Sequence, residues 1–222
     1  MSGTAGAGRT VLGHPRGLLV LFGTEGFLSF GYYGMQSILV LFLSAALLRP
    51  GHAEHVLGLR ALEQLLGLPA AAGIEARAVA LSGLVGAFAY ATPLLGGVVA
   101  DRLLGRTRAT ACGLLLLSLG FALLAVEPLF LFGLALVMAG FGLSGTLKAQ
   151  LGALYATEDP RRADGFQLWS FSVMFAVLAA PVVCGTLGED YAWRWGFLAA
   201  AAGAASALGV YLAGARTLPA EP

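Results

Sequence analysis

Long apolar runs dominate the hydrophobic pattern of this 222-residue chain, and six of them are long enough to cross a lipid bilayer. A membrane-spanning helix needs about 20 consecutive, mainly apolar residues. The six runs cover residues 17–48, 79–100, 109–126, 129–154, 166–187 and 195–215. Glu25 interrupts the first run and no small-residue cleavage site follows it, so we interpret this run as a span and not as a signal peptide. The pattern predicts an all-α membrane protein with six transmembrane helices.

Composition and charge exclude several soluble classes of protein. Hydrophobic residues make up 58% of the chain and charged residues 11%, against roughly 25% charged residues in an ordinary soluble domain. The formal net charge of +1 provides no basic surface for phosphate, so no nucleic-acid partner is predicted. Cys112 and Cys184 lie inside apolar runs, which argues against a disulfide framework. The lipid bilayer is the first partner that the composition implies.

The distribution of arginine predicts that both termini are cytoplasmic. Cytoplasmic loops of membrane proteins carry an excess of Lys and Arg. With the N-terminus inside, eight arginines fall in cytoplasmic segments: Arg9, Arg16, Arg102, Arg106, Arg108, Arg161, Arg162 and Arg216. Four then fall outside: Arg49, Arg60, Arg77 and Arg194. We therefore expect a multi-pass protein of the inner (plasma) membrane, with residues 1–16 and 216–222 in the cytoplasm.

Polar residues recur on one face of the first predicted span. Glu25, Ser29, Tyr32 and Gln36 follow one another in steps of three or four residues, and Tyr33 lies beside them. Such spacing places side chains on one face of a helix. An ionisable residue at the bilayer centre costs about 3 kcal/mol on insertion scales, so this face must meet a partner or a water-filled cavity. Hydrogen bonding between helices is the simpler interpretation. That role rarely needs a carboxylate, and the cavity is therefore favoured.

Lys148 is the second charged residue that falls clearly inside a predicted span. A long ammonium side chain close to a helix end can reach the interface, and this is the simpler interpretation of Lys148. However, Lys148 and Glu25 lie at similar depth, each roughly 10 Å from the inner end of its span at about 1.5 Å per residue. Their charges are opposite, so a pair would lower the cost of inserting both.

A glycine-rich, charged loop joins the second and third predicted spans. Its landmarks are Gly97, Asp101, Arg102, Gly105 and Arg106. Glycines permit a tight turn, and the charges can hold two helix ends together by ion pairs. The alternative is an ordinary positively charged inner loop. Such a loop does not need glycine, Asp-Arg and Gly-Arg at these fixed intervals, so we disfavour the alternative.

These motifs resemble those of a known family. The spacing G-x-x-x-D-R-x-x-G-R, which begins at Gly97, is the general signature of major facilitator transporters. The chain as a whole resembles the N-terminal half of the proton-dependent oligopeptide transporters, in order and over nearly its full length. The segments that carry this narrower match are 14–17, 30–43, 90–97, 159–162, 165–166 and 191–197. The resemblance implies the six-helix half of a facilitator fold, built from two repeats of three helices. With this fold, we expect the charged loop that begins at Gly97 to be a gating hinge and not a binding site.

In that family the first helix carries a Glu-x-x-Glu-Arg motif that couples proton movement to peptide binding. By position, the first Glu of the motif is Glu25, whereas the second falls on Leu28 and the Arg on Ser29. A lysine of the family's fourth helix falls on Gly145, and an asparagine of its fifth helix falls on Met174. The resemblance thus implies a proton site at Glu25, with four polar functional positions apolar, small or only weakly polar here.

The resemblance also implies where a solute binds. Two aromatic positions after the motif and one in the second helix contact peptide in the family, and here they are Tyr32, Tyr33 and Tyr90. Ser29 and Gln36 complete the predicted substrate-binding face, although Ser29 cannot replace the guanidinium fork that would hold a peptide carboxylate.

Lys148 offers a replacement for the missing family lysine. It lies three residues beyond Gly145, nearly one turn on and on about the same face of a helix. Our hypothesis is that Lys148 takes the role of that lysine and pairs with Glu25, so that the two residues form the proton-coupling site.

The resemblance covers one half of a facilitator, and a facilitator rocks two six-helix halves around a site at the membrane midplane. Without the other half, the polar stripe of the first helix would face lipid, so a second six-helix half is an expected partner. Three alternatives follow. The chain is a fragment in which residues 216–222 begin a central linker, or a half that pairs with itself or with a separate chain, or a decayed remnant.

Two functional classes remain open. The first is a secondary active transporter of di- and tripeptides or peptide-like solutes, driven by protons through Glu25. The alternative is a non-transporting membrane interaction or assembly module with the same fold. An enzyme is not predicted, because His14, His52 and His55 lie in linkers without a cysteine or acidic cluster at metal-ligand spacing, and no nucleotide motif is present. No metal or other cofactor is expected.

Overall fold

The computed structural model describes residues 10–11, 13–68 and 72–219, except for the side chains of Val99 and Asp101. A small hairpin opens this part of the chain, with Thr10–Val11 paired antiparallel to His14–Pro15. Eight α-helices follow within the described residues: α1 (Arg16–Phe42), α2 (Leu59–Leu65), α3 (Ile74–Val99), α4 (Arg106–Leu124), α5 (Phe130–Ser144), α6 (Leu147–Ala153), α7 (Arg161–Thr186) and α8 (Trp193–Gly214). Single π-helical turns extend α1, α3 and α7 over Leu43–Leu47, Ala100–Leu104 and Leu187–Tyr191. Short 3₁₀ turns occupy Ala53–His55, Glu127–Leu129 and Ala215–Thr217.

Six helical segments of the described chain are long and apolar enough to cross a membrane, which confirms the predicted six-helix fold. They run over Arg16–Leu47, Ile74–Val98, Arg106–Leu124, Glu127–Ala153, Arg161–Tyr191 and Trp193–Thr217. The second and fifth begin at Ile74 and Arg161, earlier than the predicted starts at residues 79 and 166. Charged residues occupy these additional first turns, and a hydropathy pattern excludes them although the helix runs through them.

The sequence pattern predicted the fourth span as one uninterrupted run, but the helix in this span is interrupted. Helix α5 ends at Ser144, a turn at Gly145 and Thr146 follows, and α6 begins at Leu147. Discontinuous spans are the places where transporters commonly build their binding sites. The break therefore marks a position to inspect for chemistry.

Glycines let α4 and α5 approach each other closely. The contact runs through Gly113, Gly120, Gly133 and Gly140, and a Cβ atom at Gly133 would lie 2.9 Å from the carbonyl oxygen of Gly120. Helices surrounded by lipid gain little from hydrophobic burial against one another, so close packing at small residues holds them together. Any larger residue at these positions would push the two helices apart.

Helix α1 packs against both α7 and α8. Gly34 of α1 faces the Sγ atom of Cys184 on α7, and a Cβ atom at Gly31 would lie 2.9 Å from the carbonyl oxygen of Ala200 on α8. These contacts fix the helix that carries Glu25 and the rest of the polar stripe.

Helix α3 meets α5 at one tight crossing. Gly96 packs against the backbone of Gly142, and a Cβ atom at Gly145 would lie 2.9 Å from the Cβ atom of Pro93. Elsewhere α3 is open. In its most apolar stretch of 18 residues only 17% of the residues are buried, against 28% in the α7 span and 44% in the other four spans. Helix α3 is therefore held to the bundle mainly through α5.

Gly96→Ala should destabilise the bundle, because the added Cβ atom would collide with the backbone of Gly142. Overpacking of this kind costs about 1–3 kcal/mol. Gly83→Ala in the same helix is the matched control: nothing lies within 4 Å of a Cβ atom there, and alanine favours the helix by up to about 1 kcal/mol. We expect the thermal unfolding midpoint of the purified protein to fall for Gly96→Ala and to hold or rise for Gly83→Ala. Equal midpoints would contradict the tight crossing.

A polar contact ties the N-terminal hairpin to the linker between α6 and α7. The Nδ1 atom of His14 lies 2.9 Å from the Tyr155 hydroxyl oxygen, and the Arg161 guanidinium donates to the Gly13 carbonyl at 2.9 Å. Arg161 also donates to both carboxylate oxygens of Asp159, at 3.1 and 2.8 Å. These hydrogen bonds to Arg161 hold the pKa of Asp159 below its ordinary value.

Asp159→Asn should lower stability at neutral pH by a small amount, about 1–2 °C in the thermal midpoint. The stabilisation from a carboxylate with a lowered pKa is complete above its unfolded pKa of about 3.9 and is lost as the pH falls through the folded pKa. We therefore expect the deficit of Asp159→Asn to shrink on acidification to about pH 3. Glu158→Gln, at the exposed neighbouring residue, is the control and should have no such deficit. A deficit that does not change with pH would contradict the ion-pair origin.

Candidate functional site

An open cavity of about 430 Å³ lies between α1, α3, the α5–α6 break and α7. Its lining residues are Glu25, Leu28, Ser29, Tyr32, Tyr33, Ala89, Tyr90, Pro93, Phe141, Ser144, Gly145, Leu147, Lys148, Trp169, Ser170, Val173 and Met174. The predicted site residues that meet here are Glu25, Ser29, Tyr32, Tyr33, Tyr90 and Lys148. Three different helices, α1, α3 and α6, contribute them, so the site is a product of the tertiary fold.

The polar stripe of α1 forms one wall of the cavity. The Ser29 hydroxyl donates to a carboxylate oxygen of half-buried Glu25 at 3.2 Å, and the Gln36 amide donates to the Tyr32 hydroxyl at 3.2 Å. Each bond joins residues four apart, which lie on one helix face. Gln36 is not among the described residues that line the cavity, so its part in a substrate-binding face stays a prediction.

Aromatic rings form much of the remaining surface. The ring of Tyr32 meets the rings of Tyr33 and Phe141 edge to face, with centroids 5.1 and 5.0 Å apart. Tyr90 approaches from α3 and is 76% exposed. Rings with hydroxyl groups offer both apolar contact and hydrogen bonding. The wall therefore suits a solute that has an apolar body and several polar groups.

The two charges of the cavity have separate partners. The Lys148 ammonium lies 5.1 Å from the centroid of the Trp169 ring, in a cation–π contact, whereas Glu25 accepts its hydrogen bond from Ser29. No ion pair joins Lys148 to Glu25 among the residues that the structure describes. The expected ion pair is therefore not formed, and the ammonium lies over the indole face instead. Both charges line the same cavity, and both are available to a ligand.

The positions where the chain departs from the family motif also line this cavity. Leu28, Gly145 and Met174 are the three positions, apart from Ser29, at which the resemblance implies a functional polar residue. Gly145 could not hold a large side chain in this packing, because its Cβ atom would meet Pro93. At the positions of the family motif, the site thus has fewer polar side chains than the motif implies.

The glycine-rich loop between the second and third spans lies away from the cavity. The described residues that line the cavity do not include the loop residues Gly97, Arg102, Gly105 and Arg106. Arg102 is exposed, and Gly105 has a φ of 76°, a conformation that favours glycine. The side chain of Asp101 lies outside the described residues. The role of this loop as a gating hinge stays a prediction.

Sequence reasoning missed the contribution of Trp169. The fifth span is apolar around most of its circumference, so its periodicity does not identify an inner face. The sequence did offer a signal that its neighbour Ser170 faces the site. Ser170 lies one turn before Met174, a position that the family motif identifies, and shares its helix face. Trp169 itself gave no signal, because its value to the site depends on Lys148, which lies on another helix.

Among the described residues, no group of three or more His, Cys, Asp or Glu side chains could hold a metal ion. The described spans surround an open cavity whose walls carry both charged and aromatic side chains.

The profile of the POT family matches residues 107–222, which is more than half of the chain. The chain therefore belongs to the POT family, and it is a multi-pass membrane protein.

Several relatives and solved structures are similar to the chain. The di-/tripeptide transporter of Lactococcus lactis subsp. cremoris is 38% identical over 208 residues, which cover 91% of this chain and 38% of the relative. A peptide transporter of Yersinia enterocolitica is 33% identical, over 86% of this chain and 35% of the relative. A crystal structure of a variant peptide transporter POT in complex with sulfate matches with a TM-score of 0.78 and 34% identity, over 94% of this chain and 39% of that one. The chain thus spans less than half the length of these relatives.

The contact between Lys148 and Trp169 should have a measurable coupling energy. A cation over an indole face contributes about 0.5–2 kcal/mol. We expect a double-mutant cycle of Lys148→Met and Trp169→Leu, followed by thermal unfolding, to show coupling of this size. The control cycle pairs Lys148→Met with Trp195→Leu, whose ring contacts Arg194 instead, and should be additive. Additivity in the first cycle would show that the contact has no energetic role.

Proposed function

We propose that the chain is part of a secondary active transporter that carries di- and tripeptides or peptide-like solutes together with protons. The observation that supports this most directly is the cavity in which Glu25, Lys148, Tyr32, Tyr33 and Tyr90 converge. The relatives support the solute class, since they are named as peptide transporters. Related POT structures are in complex with alafosfalin and with 5-aminolevulinic acid.

Glu25 is the proton-carrying group in this proposal. It is a carboxyl group within a membrane span, half-buried, and bonded to Ser29 at the cavity wall. Gain or loss of a proton there changes the charge that the cavity presents to a solute. Aromatic and apolar walls lower the local dielectric, so that change acts strongly on a charged ligand nearby.

Lys148 is the group that we assign to a solute carboxylate. It is the one cation among the described lining residues, and its side chain is exposed to the cavity. A lysine ammonium binds carboxylates as a point charge and can leave an aromatic face at modest cost. Lys148 therefore compensates in part for Ser29, which has replaced the arginine of the motif.

A second six-helix half is the proposed partner, in the same chain, in a separate chain or in a second copy. The two most open spans, α3 and α7, flank the cavity and expose large apolar side chains, such as Leu94 at 77% and Leu178 at 73%. Facilitators close their site between two halves. Covering α3 and α7 would close this cavity and bury those side chains.

The inner (plasma) membrane is the proposed location, with both termini cytoplasmic. The support is the arginine asymmetry, eight in the inner segments against four in the outer ones. In this orientation the loop that contains Gly97, Asp101, Arg102, Gly105 and Arg106 is cytoplasmic. We propose that it acts there as a gating hinge between the second and third spans.

A membrane assembly module without transport is the second candidate. The apolar or small residues at Leu28, Gly145 and Met174 favour it, because they remove polar groups from the place where the family motif has them. Glu25, Lys148 and the tyrosines weigh against it, because charges inside a span are costly to keep without a function.

Proton-driven uptake should depend on Glu25. We expect the intact protein in proteoliposomes to take up dipeptide saturably under an inward proton gradient, and to stop when the gradient is collapsed. Glu25→Gln keeps the size of the side chain and removes the proton site, so its uptake should fall to the collapsed-gradient level. Glu75→Gln, at an exposed carboxylate in the first turn of α3, is the matched control and should retain driven uptake.

The same assay separates the two candidates. Uptake by Glu25→Gln that still follows the gradient would exclude Glu25 as the proton carrier while leaving transport intact. The absence of any saturable flux, together with stable association of the protein with other membrane proteins, would favour the assembly module.

A further inference from the structure

A cluster of hydrogen-bonding side chains lies behind the break in the fourth span. It comprises Thr110 of α4, Thr146 at the break, Gln150 of α6 and Tyr211 of α8, each no more than 6% exposed. The hydroxyl oxygens of Thr110 and Thr146 are 2.6 Å apart. The Gln150 amide nitrogen donates to Thr110 Oγ1 at 2.9 Å, and the Tyr211 hydroxyl donates to Gln150 Oε1 at 2.9 Å. One buried network thus connects α4, α6 and α8.

The network leaves the Gln150 amide a single satisfactory orientation. Its nitrogen lies 3.4 Å from the backbone carbonyl oxygen of Arg106, which can only accept, while its oxygen faces the Tyr211 hydroxyl. Buried polar groups are costly to leave without partners. A rotation of α6 that broke these bonds would therefore be resisted by every member of the network.

Helix α6 depends on such contacts because it has only seven residues. A helix of this length is not stable alone, so its neighbours decide how it is rotated about its axis. Thr146 and Gln150 are four residues apart and share the face held by the network. Lys148, between them, lies on the opposite side of the helix, about 160° from each around the axis. That side of α6 is the side that faces the cavity, which Lys148 lines.

We propose that Thr110, Gln150 and Tyr211 are positioning residues, whose hydrogen bonds set the rotation of α6 and so present Lys148 to the cavity. The proposal rests on the proposed function for the role of Lys148 as a solute-binding cation. It also gives the loop between the second and third spans a physical connection to α6, because the Arg106 carbonyl at the end of that loop accepts from Gln150.

Apolar packing is the competing explanation, since Leu147 and Leu151 of α6 are also buried, at 2% and 0% exposure. Two substitutions of Thr110 separate the explanations. Thr110→Val keeps the shape of the side chain and removes the hydroxyl, whereas Thr110→Ser keeps the hydroxyl and removes a methyl group. Ser118→Ala is the matched control, because it deletes a hydroxyl of the same helix that donates to the Leu114 carbonyl within α4.

The measurement is the reaction rate of a thiol at position 148 with a water-soluble methanethiosulfonate reagent. The thiol is introduced by Lys148→Cys into the intact protein in membranes, after Cys112 and Cys184 have been replaced by alanine. No transport is needed, so failure of this test is distinct from failure of the proposed function. We expect Thr110→Val to slow the reaction roughly tenfold, and Thr110→Ser and Ser118→Ala to leave it unchanged.

An unchanged or faster reaction in Thr110→Val overturns the proposal, and so does an equal loss of rate in Thr110→Ser or Ser118→Ala. Should Thr110→Val fail to reach the membrane, Tyr211→Phe carries the same expectation, because it removes one buried hydroxyl and keeps the ring. Its control is Tyr191→Phe, at a tyrosine that is 75% exposed.

Discussion

Close approach of helix backbones at glycine is the constraint on which this fold depends. In lipid, apolar helices gain little hydrophobic free energy by packing against one another, and polar groups find no water to bond. Close packing must therefore hold the helices together, and internal hydrogen bonds must satisfy the polar groups. Pairs such as Gly120 with Gly133 bring α4 and α5 together, and Gly31 and Gly34 place α1 against α8 and α7. Helix α3 meets α5 tightly but contacts α1 much less. The space left between α3 and α1 is the cavity.

That cavity keeps its two charges apart, and the separation matters for what it can do. A direct ion pair between Glu25 and Lys148 would satisfy both groups, and a charged solute would have to break that pair in order to bind. With Ser29 on the carboxylate and the Trp169 ring under the ammonium, each charge has a weak neutral partner. A ligand with an ionised group gains a charged contact without first disrupting one. The geometry therefore suits a site that must bind and release, more than one that only stabilises the fold.

Hydropathy and helical spacing were sufficient to predict six spans and the stripe of Glu25, Ser29 and Tyr32 on one wall, because both depend on a single helix at a time. The features that sequence reasoning missed depend on more than one helix. Trp169 matters because Lys148 lies over its ring, and the break at Gly145 and Thr146 adjoins hydroxyl and amide groups on α4, α6 and α8. The starts of α3 and α7 were missed for a simpler reason. Their first turns are charged, and an apolar pattern cannot extend into them.

The packing around Gly145 also bears on why Lys148, and not a residue one turn earlier, carries the positive charge of the cavity. A side chain at Gly145 would meet Pro93, and a shift of α3 away from it would break the adjacent close crossing of Gly96 with Gly142. A lysine at that position would separate α3 from α5. The break that follows restarts the helix as α6, and Lys148 is on its cavity side, beyond the crossing. Because the cation lies past the break, on α6, the cavity gains its positive charge without a side chain at the crossing of α3 with α5.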